Sequence, residues 1–231
     1  MCFDKHAHYS MNHIKAACAD ETDVVTCPHN DMNYLEDLCK TNRRIAYIAD
    51  GVYSMGGVAN IEAIKYLKNR YGLFTYLDDS HSLSATGDQG QGYIRSSFAS
   101  FDDSSIIVAS LAKSFGASGG VIMFANLEHK QKTLRYGGPS NWSQSLNSAA
   151  IGAGRASIAL HHTHELSQLQ RRLQSNIELF DSLIRTAQSG NFTAIRLIRC
   201  GPADIATRAA AYLTDNGFFT AAVFFPVVAR G

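Results

Sequence analysis

The sequence predicts an α/β fold with a mostly parallel sheet, followed by part of a smaller α+β domain. Three observations carry that prediction. Short runs of strand formers alternate with amphipathic helical segments, the apolar runs are too short for buried helices, and from about residue 143 the pattern turns helical before the strand and helix rhythm returns near residue 193. The first unit is RIAYIAD (44–50), a strand, then NIEAIKYLKNRYG (60–72), which places Ile61, Ile64, Leu67 and Tyr71 at helical spacing, then FTYLD (74–78), a second strand. Together these make one βαβ unit, whose strands run parallel. SSIIVAS (104–110) and GGVIMFA (119–125) add two further strands. The stretch containing LSQLQRRLQSNIELFDSLI predicts a long helix within 143–187. Beyond it, FTAIRLI (192–198) predicts a strand, ADIATRAAAYLTDNG a helix with Gly217 as its C-cap, and FFTAAVFF (218–225) another strand. The expected division is a large domain over 1–142, a helical connection over 143–188 and part of a small α+β domain over 189–231.

Composition narrows the function classes. With 231 residues, 45% hydrophobic and 18% charged, the chain has the makeup of a soluble globular protein. A net charge of +1, with no basic stripe, argues against nucleic-acid and membrane-surface binding. Cys2, Cys18, Cys27, Cys39 and Cys200 are odd in number and lack CxxC spacing, which suits free thiols in a reducing compartment. No apolar run reaches the ~20 residues that span a bilayer, and MCFDKHAH is no secretory signal. The expected location is the cytoplasm. Both ends read as cut, because a His-rich segment stands at the start and apolar sequence at the close, so a longer protein is expected.

Two stretches concentrate chemistry. FTYLDDSHS (74–82) ends a strand in two acids and a histidine, and ASLAKSFGASGG (109–120) sets a lysine among small residues. Ligands collect at the carboxyl ends of strands in open α/β sheets, where both Asp78 and Lys113 fall. The pair can form a salt bridge. It can also serve pyridoxal phosphate (PLP), with the lysine as Schiff base and the acid on the pyridinium nitrogen. The small residues from Ser114 to Gly120 leave room for a flat ligand.

In order along the chain stand DKHAH (4–8), HND (29–31), DGVYSMGG (50–57), LDDSHSLSATGDQGQG (77–92) and SLAKSFGASGG (110–120). With these motifs the chain resembles the α-oxoamine synthase family of PLP-dependent, fold-type-I enzymes. Its members include 8-amino-7-oxononanoate synthase, 2-amino-3-ketobutyrate ligase, 5-aminolevulinate synthase and serine palmitoyltransferase. The resemblance implies that Lys113 carries the cofactor, that Asp78 faces its ring nitrogen and that His81 bonds its phenolic oxygen. It also implies that His6 stacks on the ring, with Ser54 beside the cofactor oxygen and Ser110 helping to hold the phosphate. The implied reaction joins an amino acid to an acyl thioester, on CoA or a carrier protein, with loss of carbon dioxide to give an α-amino ketone. The implied assembly is a homodimer. The segment RYGGPSNWSQS (135–145) departs from the family pattern, carrying Trp142 and no paired prolines, and points to a secondary-metabolite member of polyketide or saxitoxin type.

Other readings of the same residues stand beside this one. His6, His8 and His13 with Asp78 and His81 suggest a metal site, a reading that leaves Lys113 unexplained; the expectation is no metal. His161, His162 and His164 are expected on a solvated helix surface, and Asp79 as a strand-end hydrogen-bonding residue. A transaminase or aldolase of the same fold would share the Asp78 and Lys113 types, and a non-catalytic partner subunit would not need Lys113.

Overall fold

The computed structural model describes residues 1–42, 44–225 and 227–228. The elements follow in the order β1 (Cys2–Asp4), α1 (Tyr9–His13), α2 (Lys15–Ala19), β2 (Val25–Cys27), α3 (Met32–Thr41), β3 (Ala46–Asp50), α4 (Ile61–Tyr71) and β4 (Phe74–Asp78). They continue with α5 (Tyr93–Ser97), β5 (Ser105–Ser110), β6 (Gly120–Phe124), α6 (Leu127–Tyr136), α7 (Gly138–Trp142), α8 (Ser148–His161), α9 (His164–Leu183) and α10 (Ala203–Asp215). The six strands form one sheet in the order β2-β1-β3-β4-β5-β6. All neighbours are parallel except β5 and β6, which pair antiparallel. The α/β prediction and the βαβ unit at its centre are therefore observed.

Local chemistry explains where α4 starts and stops. Asn60 caps it, its side chain accepting the Ala63 N–H at 3.1 Å, and Gly72 ends it in the left-handed region at φ 68°. Its buried stripe, Ile61, Ile64 and Leu67, packs with Leu35 of α3 against Tyr47, Ala49, Leu77 and Ile107 of the sheet. Strand alternation sends Phe3 and Ile48 to the opposite face, where they meet Ala7 and Met11. At the rim, the buried Lys68 Nζ of α4 donates to Asp102 and the Ser104 carbonyl, both at 3.1 Å, and to the Ser105 hydroxyl at 2.6 Å. That set of acceptors is what lets an ammonium group lie inside.

The structure departs from expectation in three places. The strands β1 and β2 are three residues each, too short for a periodic signal. The helix expected to run through 143–187 is two helices, broken at His162 and Thr163, where the Thr163 hydroxyl accepts the Glu165 N–H at 3.2 Å and caps α9. The predicted strands at 192–198 and 218–225 carry no strand pairing among the described residues. Strand propensity is decided by packing context as much as by residue type. The helix α10 forms as predicted, with Gly217 just past it at φ 86°. Among the described residues no helix is long and apolar enough to cross a membrane.

Leu77 is fully buried at the middle of the sheet. Leu77→Ala should cost about 2–5 kcal/mol of stability, read as a lower urea midpoint with an unchanged slope. A loss under 1 kcal/mol would mean that this core is not packed as described.

Candidate functional site

The parallel register brings three aspartates to one edge. The strands β1, β3 and β4 lie side by side and end in Asp4, Asp50 and Asp78, with Asp50 directly opposite Asp78. All three are buried, so each carboxylate has to be matched by donors from the loops that follow. Asp78 accepts the Ser80 N–H at 2.8 Å, and the Ser80 hydroxyl accepts the N–H of Ser110 at 2.7 Å, joining the turn after β4 to the end of β5. Asp79 accepts from the Ile94 N–H at 3.0 Å and from the Ser82 hydroxyl, the hydrogen-bonding role the sequence suggested. Gly92, at φ 89°, has no alternative here: a Cβ would stand 2.2 Å from the Asp79 carboxylate.

The loop 111–119 between β5 and β6 carries Lys113. Its base is closed by Leu111 N–H to the Gly119 carbonyl at 2.9 Å and Ala117 N–H to the Leu111 carbonyl at 2.8 Å. Lys113 Nζ lies 3.0 Å from His81 Nε2. Among the described residues no ion pair joins Lys113 to Asp78, so the salt-bridge reading of that pair is not what forms.

Burial lowers the pKa of both partners of this contact. Burial, then the Lys113 cation, push His81 down to about 4 against the pull of Asp78, so the imidazole is neutral near pH 7 and Nε2 accepts from the ammonium. Burial holds Lys113 below the ordinary lysine value, although Asp78 and Asp50 pull the other way. Asp50 is pushed up to about 7, chiefly by burial and against the His8 N–H that donates to it at 2.8 Å.

The remaining expected residues divide. Ser110 sits at the end of β5, its hydroxyl accepting the Ala112 N–H at 3.2 Å. Ser54 lies in the turn closed by the Gly56 N–H on the Tyr53 carbonyl at 2.9 Å, with no hydrogen bond to Lys113, Asp78 or His81. His6 is drawn elsewhere: its ring stacks on His29 with centroids 4.1 Å apart. That pair belongs to a cluster around Asp4, which accepts from the His6 N–H, His29 Nδ1, the Asn30 N–H and the Tyr47 hydroxyl. Burial alone would raise the Asp4 carboxyl, yet hydrogen bonds from His29, Asn30 and His6 hold it below the ordinary range. The His8 N–H donates to Asp50, which lies directly opposite Asp78.

His161 corrects the expectation of a solvated face. His162 and His164 are exposed, but His161 is half-buried, with Nδ1 on the Ser157 carbonyl at 2.7 Å and Nε2 on the Ser84 hydroxyl at 2.8 Å. Sequence missed Asp50 and His161 because the signal lies in strand register and in contacts across 77 residues. Among the described residues no group of three or more His, Cys, Asp or Glu is arranged to hold a metal ion.

The family model described as aminotransferase class I and II matches residues 5–204. The chain is 31% identical over 214 residues to 8-amino-7-oxononanoate synthase of Geobacter sulfurreducens, covering 90% of the chain and 54% of that protein. It is 28% identical over 247 residues to serine palmitoyltransferase of Bacteriovorax stolpii, covering 100% of the chain and 56% of that protein. A structure of serine palmitoyltransferase from S. paucimobilis with a bound PLP–myriocin aldimine superposes with a TM-score of 0.84 at 18% identity, over 100% of this chain and 58% of that one. The chain thus spans a little over half the length of these relatives.

The Asp50 carboxyl yields a signed prediction. Its pKa is raised in the folded protein, so its contribution to stability is fully present below the ordinary carboxylate value and is lost as pH rises through about 7. Asp50→Asn should therefore gain stability relative to the natural chain between about pH 4 and 7, and the gap should level off above that window. Urea unfolding across this range checks it, and a constant difference would show that Asp50 stays ionised throughout.

Proposed function

The chain belongs to the aminotransferase class I and II family, and from that premise we propose that it carries the core of a PLP-dependent α-oxoamine synthase. The reaction proposed is condensation of an amino acid with an acyl thioester, on CoA or a carrier protein, with decarboxylation to an α-amino ketone. The observation that carries the reading is the Lys113–His81 contact of 3.0 Å beside the strand-end acid Asp78.

The donor set suits PLP. A lysine amine with a lowered pKa, a neutral imidazole against it and a buried carboxylate at the adjoining strand end match an aldehyde, a phenolic oxygen and a ring nitrogen respectively. When bound, the cofactor supplies a protonated ring that takes up the electrons of a carbanion at the amino acid α-carbon. Lys113 would hold the group covalently through Nζ, and the lowered pKa eases release of the Nζ proton, which both attachment and α-proton removal require. His81 would turn toward the phenolic oxygen. Asp78, its carboxylate steadied by the Ser80 N–H, would keep a proton at the ring nitrogen. Ser110 and Ser54 are assigned to the phosphate and the phenolic side. The place on the face of the ring, expected for His6, is assigned to His8, because the His6 ring is committed to His29 while the His8 N–H is bonded to Asp50, opposite Asp78.

In this reading residues 1–142 form the cofactor-binding domain, 143–188 the helical connection and 189–231 the start of a second domain. A second copy of the chain is the proposed partner, in keeping with Trp142 and Phe219, which are 90% and 94% exposed.

Two experiments test the proposal. Borohydride treatment of the PLP-loaded full-length protein should add the reduced cofactor to the peptide containing Lys113; labelling at another lysine overturns the assignment. Asp78→Asn should lower release of labelled carbon dioxide from an amino acid and an acyl-CoA by about 100-fold or more, with the fold retained by circular dichroism. Near-normal release would remove Asp78 from its role.

A further inference from the structure

The loops bearing His81 and Lys113 rise from neighbouring strands, and α8 passes across both. The Ser157 hydroxyl donates to the Phe115 carbonyl at 2.6 Å, two residues beyond Lys113. One turn later His161 sets its ring against Phe115 with centroids 5.2 Å apart. Its Nδ1 faces a carbonyl, which can only accept, so Nδ1 carries the hydrogen. In the neutral ring Nε2 is then the acceptor, and the Ser84 hydroxyl is the donor at 2.8 Å. The imidazole is thereby oriented at both nitrogens while touching both loops.

Ser84 itself is unusual. It is buried and holds φ 68°, a conformation that a residue with a Cβ keeps only where its surroundings enforce it. Three groups do so. The Ser84 N–H donates to the Gly90 carbonyl at 2.7 Å, the Ser84 carbonyl accepts from Gln170 Nε2 of α9 at 3.0 Å, and the hydroxyl is held by His161. Gly90 leaves no room for change, since a Cβ there would lie 2.9 Å from both Ser84 Cα and His161 Cδ2.

We propose that His161 is a positioning residue, tying the Ser84 turn to the Phe115 loop so that His81 and Lys113 are held at contact distance. This rests on the cofactor role assigned above to that pair, but the tie can be read without any cofactor. Ser84→Gly is the decisive variant: it removes the hydroxyl while relieving the positive φ, so overall stability is maintained or improved. His161→Phe keeps a ring against Phe115 and loses the link to Ser84. His161→Gln retains an amide near the position of Nε2 and restores that link.

The test is amide hydrogen–deuterium exchange on the full chain without cofactor, joined to PLP titration followed by absorbance. Ser84→Gly and His161→Phe should each speed exchange in both 80–92 and 111–119 by about tenfold and weaken PLP binding by about tenfold, with the melting temperature of Ser84→Gly not lowered. His161→Gln should stay within about threefold of the natural chain, and the double variant should be no worse than either single one. If exchange in 111–119 stays at its natural rate when Ser84 is replaced, or if His161→Gln behaves like His161→Phe, the proposal is overturned. Failure of the cofactor reading would look different: borohydride would not mark Lys113 of the natural chain, whereas the coupled exchange of the two loops would persist.

Discussion

Three neighbouring parallel strands each close on an aspartate, and the need to satisfy those buried carboxylates organises the edge of the sheet. A carboxylate out of water demands donors, and here the donors come from the chain just beyond each strand or from the loop next door. Asp4 gathers the His29 ring, the His6 and Asn30 amides and the Tyr47 hydroxyl; Asp50 takes the His8 amide; Asp78 takes the Ser80 amide. The loops are bent into place by these bonds. The contact between Lys113 and His81 is a consequence, because the Ser80 turn is anchored both to Asp78 and to the end of the strand that leads to Lys113.

The acids do not share one protonation behaviour. Asp4, surrounded by donors, stays ionised more readily than a free carboxylate, whereas Asp50 is pushed toward the neutral form by burial, with fewer donors to offset it and Asp78 alongside. His81 works in the opposite sense to Asp50. Its pKa is depressed, so its contribution is fully present above the ordinary histidine value and is lost as pH falls toward 4, while that of Asp50 is lost as pH rises toward 7. Across that window the two slopes oppose each other, and the edge as a whole is less sensitive to pH than either group.

Much of this was legible in the sequence where the signal was local. The unit β3–α4–β4 could be read because alternation, a helical stripe and a capping Asn60 all lie between Ala46 and Asp78. Lys113, Asp78 and His81 could be read because strand ends and small-residue loops have compositional marks. Asp50 could not, since its environment depends on which strand lies beside β3. His161 was misread as solvated because its neighbours in sequence are polar and exposed, while its partners are Ser84 and Phe115. His6 and His8 are two residues apart, and only tertiary contacts tell them apart: the His6 ring stacks on His29, while the His8 N–H reaches Asp50. The segments 192–198 and 218–225 had the composition of strands, yet the described residues form no strand there.

The antiparallel joint between β5 and β6 places Lys113 at the tip of a hairpin, whereas each parallel pair of strands is linked by a crossover. Loop 111–119 is closed by a single ladder, running from Ile106 opposite Phe124 to Ser110 opposite Gly120. The chain entropy lost in presenting the amine is therefore settled within about twenty residues, independently of the distant pairings that assemble the parallel strands. Closure entropy grows only slowly with loop length, so lineages could lengthen, shorten or rewrite this tip without disturbing the order of the sheet. The segment that carries Lys113 is in that sense a replaceable part of the architecture, and the acids on the crossover strands are not.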